Sequence, residues 1–320
     1  MKTKLLMGHW LGCIVLALLC FFTIDGGGAK SGVWRQMQDS GLTSPAGNYR
    51  WLDVANQAYS ADYRDSYNYT QASVEVTYQT TGNTLHGTLV ATNLKPNFAY
   101  QLKLAGTPGT PANERIGLAG RWWQEIWDGT KWTGGTNLNN KGDGFSPNPN
   151  DLVYFDRRYE EDPTSPTVLK YRYTGYLVFD YFITDEDGNA TIDFFTNSSY
   201  HVLWKTTQRT HNLSFDGPLK SATFDADLSS CYDDTGGDDY EVQTIEIFGE
   251  WERLPVRGVY LQPGDYSAEI ILTEESFHGS GGQYAGGWAA AMGKNIEFTI
   301  IEGALVIEAE DATIKTTGGP

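Results

Sequence analysis

The segment that most limits what this chain can fold into is Tyr176-Leu177-Val178-Phe179-Asp180-Tyr181-Phe182-Ile183, which is apolar or aromatic at every position except Asp180. A strand points successive side chains to opposite faces, so a run apolar on both needs cover on both sides. Elsewhere the period is two. Val74, Val76 and Tyr78 share one face of a predicted strand, Thr80-Thr81-Gly82-Asn83 turns the chain, and Leu85, Leu89 and Ala91 follow on the next. Asp185-Glu186-Asp187-Gly188-Asn189 turns the apolar strand back into residues 191–196, and Tyr200–Trp204 comes after. Further strands are read at 242–251, 266–273, 296–301 and 305–309, with no long helix pattern anywhere. The predicted fold is all-β, a large antiparallel β-sandwich of immunoglobulin/fibronectin-like or jelly-roll-like type. The 10 Trp, 19 Tyr and 14 Phe supply enough apolar mass for its core.

Two short stretches sharpen this. Leu94-Lys95-Pro96-Asn97-Phe98-Ala99-Tyr100, leading into Gln101-Leu102-Lys103-Leu104, resembles the corner of fibronectin type III domains in which a Tyr hydroxyl ties back to the preceding backbone. Leu261-Gln262-Pro263-Gly264-Asp265-Tyr266 is a related corner near the other end. Two corners fit either two sandwich units or one large sandwich.

Flanking and inserted segments divide the rest. Met1-Lys2-Thr3-Lys4, the apolar run from Leu5 to Ile24 and the small residues Gly26-Gly27-Gly28-Ala29 read as a secretory signal cut after Ala29. The run is also long enough for an uncleaved anchor, which would be the chain's one tie to a membrane. Residues 30–72 read as an N-terminal arm and 73–310 as the sandwich. Within it, 107–166 is a Trp-rich insertion packed over one end and 225–241 an acidic loop; 311–320 is a flexible tail. Without residues 1–29 the chain keeps a single cysteine, Cys231, and no internal disulfide. Cys231 is then a buried small residue, an intermolecular link or a metal ligand.

Three stretches together carry a family resemblance: Asn113-Glu114-Arg115-Ile116-Gly117 with Gly120-Arg121-Trp122-Trp123; the run from Gly175 to Trp204; and Leu272-Thr273-Glu274-Glu275-Ser276-Phe277-His278. They resemble a group of uncharacterised exported β-sandwich proteins of archaea and bacteria. The resemblance implies export and a sandwich fold, and no mechanism.

The formal charge of −17 excludes a nucleic-acid partner, because phosphate binding needs a basic face. The expected partner is an extracellular ligand or surface component, with carbohydrate or self-association as the options, and the expected function is that of a secreted or cell-surface binding or structural module. Two alternatives name residues. His201 and His278, with Glu275, Asp180 or Cys231 as third ligand, suit a Zn or Cu site, since strands hold imidazoles rigidly and a carboxylate offsets the metal's charge. Equally, both imidazoles can be satisfied by core hydrogen bonds. Asp180, in a strand read as buried, needs a partner such as Arg172 or Arg121. Trp122, Trp123 and Trp127, with Trp132, suit an aromatic platform for sugar rings or else a plug over the sandwich edge.

Two further motifs bear on calcium and glycoside hydrolysis. Asp185, Asp187 and Asn189 open like a calcium loop, but Ala190 and Thr196 stand where Gly and Glu are needed. Asp233, Asp234, Asp238 and Asp239 offer enough oxygen for Ca, or form a solvated loop. Glu246-Ile247-Phe248-Gly249-Glu250 is similar to a retaining-glucanase strand with Phe248 in place of the central Asp. Regular strand rise puts its glutamates about 13 Å apart, wider than a catalytic pair allows.

Overall fold

In the computed structural model the alternating segments form strands in the expected places. The order begins β1 (Val33–Gln36), β2 (Gln38–Asp39), α1 (Ala61–Ser66), a 3-10 turn (Tyr69–Gln71), β3 (Ser73–Tyr78), β4 (Thr81–Gly82), β5 (His86–Thr92) and β6 (Ala99–Gly106). Then come α2 (Pro111–Ala119), β7 (Arg121–Trp127), β8 (Trp132–Leu138), α3 (Pro149–Arg157), β9 (Glu161–Asp162) and β10 (Ser165–Leu169). The last are β11 (Tyr171–Ile183), β12 (Ala190–Phe195), β13 (Tyr200–Trp204), β14 (Pro218–Phe224), β15 (Gln243–Trp251), β16 (Gly264–Glu274) and β17 (Ala290–Ile300). The structure describes residues 33–39, 51, 53, 58–138, 149–196, 200–204, 218–224, 231–232, 243–251, 261–274 and 290–302. The signal at 1–29, the strand at 305–309, the tail and most of the acidic loop lie outside them. Among the described residues no helix is long and apolar enough to cross a membrane.

The chain is all-β in class. One sheet has the order β1-β3-β5-β12; a larger one runs β2-β17-β16-β6-β11-β7-β8, with β4 beside β17. A third sheet, β13-β15-β14, and the β9–β10 pair complete the set. All pairings are antiparallel except the short β4–β17 contact. The first two sheets contribute to one core: Val74, Val76, Leu89 and Phe194 from one, Leu102, Leu104, Phe179, Ile270 and Phe298 from the other. The Phe179 and Phe194 rings meet across it, 5.6 Å between centroids.

β11 is buried on both faces, as its composition requires: Tyr176, Leu177, Val178, Phe179, Tyr181 and Phe182 are all in the interior. Asp180 is different. The register with β6 shifts between Val178 and Asp180, and Asp180 is only half-buried there. Its carboxylate accepts the Tyr181 backbone N–H at 2.7 Å. A bulge leaves a ladder N–H for a side chain to take. Of the two partners expected from sequence, Arg172 pairs with Glu125 at 2.6 Å, and Arg121 is buried at the start of β7.

The turn at 185–189 holds as a turn but does not make a hairpin. Asp185 Oδ1 accepts N–H bonds from Asp187 (3.0 Å) and Asn189 (2.7 Å). The chain then crosses from the large sheet to the small one, where β12 pairs with β5. The β5–β6 connection crosses beside it, through Leu94 N–H to Gly188 O and Asn97 N–H to Asp185 O, both 3.0 Å. The segment read as an arm crosses too: β1 belongs to one sheet and β2 to the other, with buried Met37 between them. The insertion has short elements, as expected, but β7 and β8 extend the large sheet itself.

Both corner tyrosines tie back. The Tyr100 hydroxyl accepts the Lys95 N–H at 3.1 Å, and the Tyr266 hydroxyl donates to the Gln262 carbonyl at 2.6 Å. The first corner also holds a buried ion pair. Lys95 Nζ lies 2.7 Å from Glu274 Oε1, with the two side chains 0% and 1% exposed. The same oxygen accepts the Tyr69 hydroxyl at 2.6 Å, and Tyr69 meets the Tyr100 hydroxyl at 3.1 Å. Removing one member of a buried pair strands the other charge, at a cost of about 3–5 kcal/mol, whereas an apolar pair of similar size is often neutral. Lys95→Met is therefore expected to lose about 3–5 kcal/mol of unfolding free energy in urea, and Lys95→Met/Glu274→Leu to regain most of it. Equal losses in the two variants would show that the pair is not the determinant.

Candidate functional site

The site is built on α2. Thr110 caps the helix by accepting the Asn113 N–H on its hydroxyl at 3.1 Å, Pro111 opens it, and Gly120 ends it. Helix and sheet touch backbone to backbone. A Cβ on Gly106 would stand 2.4 Å from Asn113 Cα, and one on Gly175 would stand 2.3 Å from the Asn113 carbonyl oxygen. Buried Asn113 fastens this contact: its amide donates to Tyr173 O at 3.0 Å and accepts the Gly175 N–H at 2.7 Å.

Beside α2, an aromatic stack carries α3. Trp122 is 1% exposed, and its ring lies parallel to that of Tyr154 at 3.8 Å. Its indole N–H donates to Asp151 Oδ1 at 2.9 Å, and Tyr173 packs edge-on against both rings. Gly117 makes room, since a Cβ there would stand 2.3 Å from the Trp122 ring.

Above this stack opens a cleft of about 700 Å³. Tyr154, Tyr159, Tyr171, Tyr173 and Trp132 give it aromatic walls; Arg115, Arg158, Arg172 and Glu114 bring the charge. A more open groove of about 1130 Å³ adjoins it, bounded by Tyr78, Tyr266 and Thr299, and Arg115 belongs to both. Glu114 Oε2 accepts the Tyr154 hydroxyl at 2.8 Å and Arg158 Nη1 at 2.9 Å. The Arg158 guanidinium lies 4.7 Å from the Phe155 ring and 5.0 Å from Tyr159, while Arg172 lies 5.0 Å from Trp132. Rings and cations hold each other in place.

The residues singled out from sequence fall as follows. Trp122 is interior and presents no face to a ligand. Trp123 covers Gly135, where a Cβ would stand 1.9 Å from its ring, and Trp127 packs against Trp132 at 5.4 Å. Of that segment, Trp132 is the ring that reaches the cleft. His201 sits on β13 opposite Glu250 in the β15 register, which runs without a shift through that pairing. His278, Glu275, Asp233, Asp234, Asp238 and Asp239 lie outside the described residues. Cys231 forms no disulfide among the described residues and is partly buried against the core. Among the described residues no group of three His, Cys, Asp or Glu stands close enough to hold a metal ion.

The cleft tyrosines and Arg158 were not singled out from sequence, and Arg115 and Arg172 were named there in other roles, although a signal exists. Residues 154–173 hold Tyr154, Tyr159, Tyr171 and Tyr173 with Arg157, Arg158 and Arg172, and Tyr171 and Tyr173 alternate on one face. No known protein family, no curated protein and no solved structure matches this chain.

Burial, and next the bond to Glu114, push the Tyr154 hydroxyl up to about 12. A tyrosine raised in the fold adds stability that is complete below its unfolded pKa, about 10, and is lost as the pH climbs toward the folded value. The stability advantage of the wild type over Tyr154→Phe is accordingly expected to shrink by about 1 kcal/mol between pH 8 and pH 11 in urea titrations. A constant difference would mean that the hydroxyl ionises as freely in the fold as out of it.

Proposed function

We propose that this chain is an exported β-sandwich binding module that takes an extracellular carbohydrate in the cleft between α2, α3 and the first half of β11. The observation that carries this reading is the cleft's make-up. Tyr159, Tyr171 and Trp132 line it with aromatic rings, and Thr110, Glu114 and Arg172 line it with hydrogen-bonding groups. Sugars present the same two surfaces, apolar C–H faces and a rim of hydroxyls, so alternating rings and polar groups match them.

The supporting structure suits binding. Beneath the cleft Trp122 stacks on Tyr154, Tyr173 packs edge-on against Tyr154 and helix α2 lies against sheet backbone, so the Tyr154 and Tyr173 rings are held before a ligand arrives. Pre-ordering of this kind lowers the entropy lost on binding. Export is supported by the basic start, apolar run and small residues of 1–29 and by the resemblance to exported sandwich proteins. The sandwich reading is supported by the shared core of two sheets and by the two tyrosine corners.

The test is titration of the protein with soluble oligosaccharides, comparing wild type with Tyr159→Ala. Tyr159 is 74% exposed, so its loss is expected to change stability by less than about 0.5 kcal/mol. If its ring stacks on sugar, affinity falls about tenfold or more. Unchanged affinity in the variant would place the sugar elsewhere, and no binding by the wild type would refute the reading.

A further inference from the structure

Of the three arginines in the cleft, two already face a carboxylate. Arg158 is 2.9 Å from Glu114, and Arg172 is 2.6 Å from Glu125. Arg115 is not paired in this way. One of its terminal nitrogens donates to the backbone carbonyl of Asp265, and the guanidinium lies 4.8 Å from the Tyr266 ring. The Asp265 carboxylate itself accepts the Thr299 hydroxyl at 2.8 Å. Arg115 Nε is enclosed and has no hydrogen-bond partner.

The guanidinium is nonetheless held in position. It is packed against Gly264, which has a φ of +146°, and a Cβ there would stand 2.8 Å from Arg115 Cζ. The backbone thus leaves room for a fixed cation between a glycine and a tyrosine ring, at the wall shared by cleft and groove. In a chain of formal charge −17, such a cation favours an anionic group at this one place. The enclosed Nε is out of a ligand's reach and the guanidinium also bonds to the Tyr266 side chain, so a planar carboxylate would meet it end-on, across its two terminal nitrogens.

Resting on the carbohydrate reading, we infer that the cleft selects a carboxylated sugar, a uronic acid residue, with Arg115 as the group that takes its carboxylate. The aromatic wall stacks the pyranose ring, and Arg115 reads its charge. A neutral sugar would leave that cation unanswered.

The experiment is calorimetric titration of the full chain with oligogalacturonate, oligoglucuronate and alginate oligomers, each beside its methyl ester, which keeps the ring and removes the charge. The expected result is that at least one acid binds about ten- to a hundredfold tighter than its ester. Arg115→Gln is expected to erase that preference, acid and ester then binding alike, and Arg115→Lys to keep part of it. Thermal melts of both variants establish that they fold. Acid and ester bound equally would overturn the inference and leave the carbohydrate reading standing. No binding of any acid or ester would overturn the inference, and the carbohydrate reading would fall with it only if neutral oligosaccharides also failed to bind.

Discussion

The structure depends on a closed ring of hydrogen bonds around one buried charge pair. Lys95 enters it twice: its ammonium pairs with Glu274, and its backbone N–H donates to Tyr100. Because Tyr69 gives its proton to Glu274, Tyr100 must donate to Tyr69, and the ring closes. Burial first and the Glu274 carboxylate second hold the Tyr69 hydroxyl protonated far above its usual range. The Lys95 ammonium also sits 4.3 Å from the Trp51 ring and 4.5 Å from Phe98. Four separated stretches of chain meet here, and a shift of Tyr69, Lys95, Tyr100 or Glu274 breaks a hydrogen bond in a low-dielectric interior.

That constraint propagates to the cleft through β6. The corner fixes where β6 begins, β6 pairs with both β11 and β16, and Gly106 at its end is where α2 settles on the sheet. β11 is shared along its length, its second half bonded to β6 and its first half to β7. The first half carries Tyr171, Arg172 and Tyr173 into the cleft, and the second half fills the core. One strand thus joins the most buried part of the protein to the surface proposed to bind.

The electrostatics of the cleft run against those of the chain. Acidic residues outnumber basic ones 40 to 23, yet the cleft gathers three arginines and one lining glutamate. Glu114 is bound to Tyr154 as well as Arg158, which ties the charge to the stacked floor. Cation–ring contacts hold long side chains in single positions and reduce the freedom a ligand would otherwise have to remove.

What the sequence determined alone is what depends on local period and local turns. The two-sided strand at 176–183, the one-sided burial of Val74, Val76 and Tyr78, and the tie-back of Tyr100 and Tyr266 could all be read from it, because each follows from neighbours within a few residues. The tertiary structure alone decided the rest. It crossed the chain between sheets at 93–98 and 184–189, made Asp180 the occupant of a bulge, and decided between platform and plug for Trp122 by burying it under Tyr154. It also paired Lys95 with Glu274 across 179 positions and brought Arg115 into one cleft with Tyr171 and Trp132. Those outcomes rest on which backbones approach which. Glycines at 106, 117 and 175 permit that approach, and a glycine's spacing in sequence does not say what will lie against it.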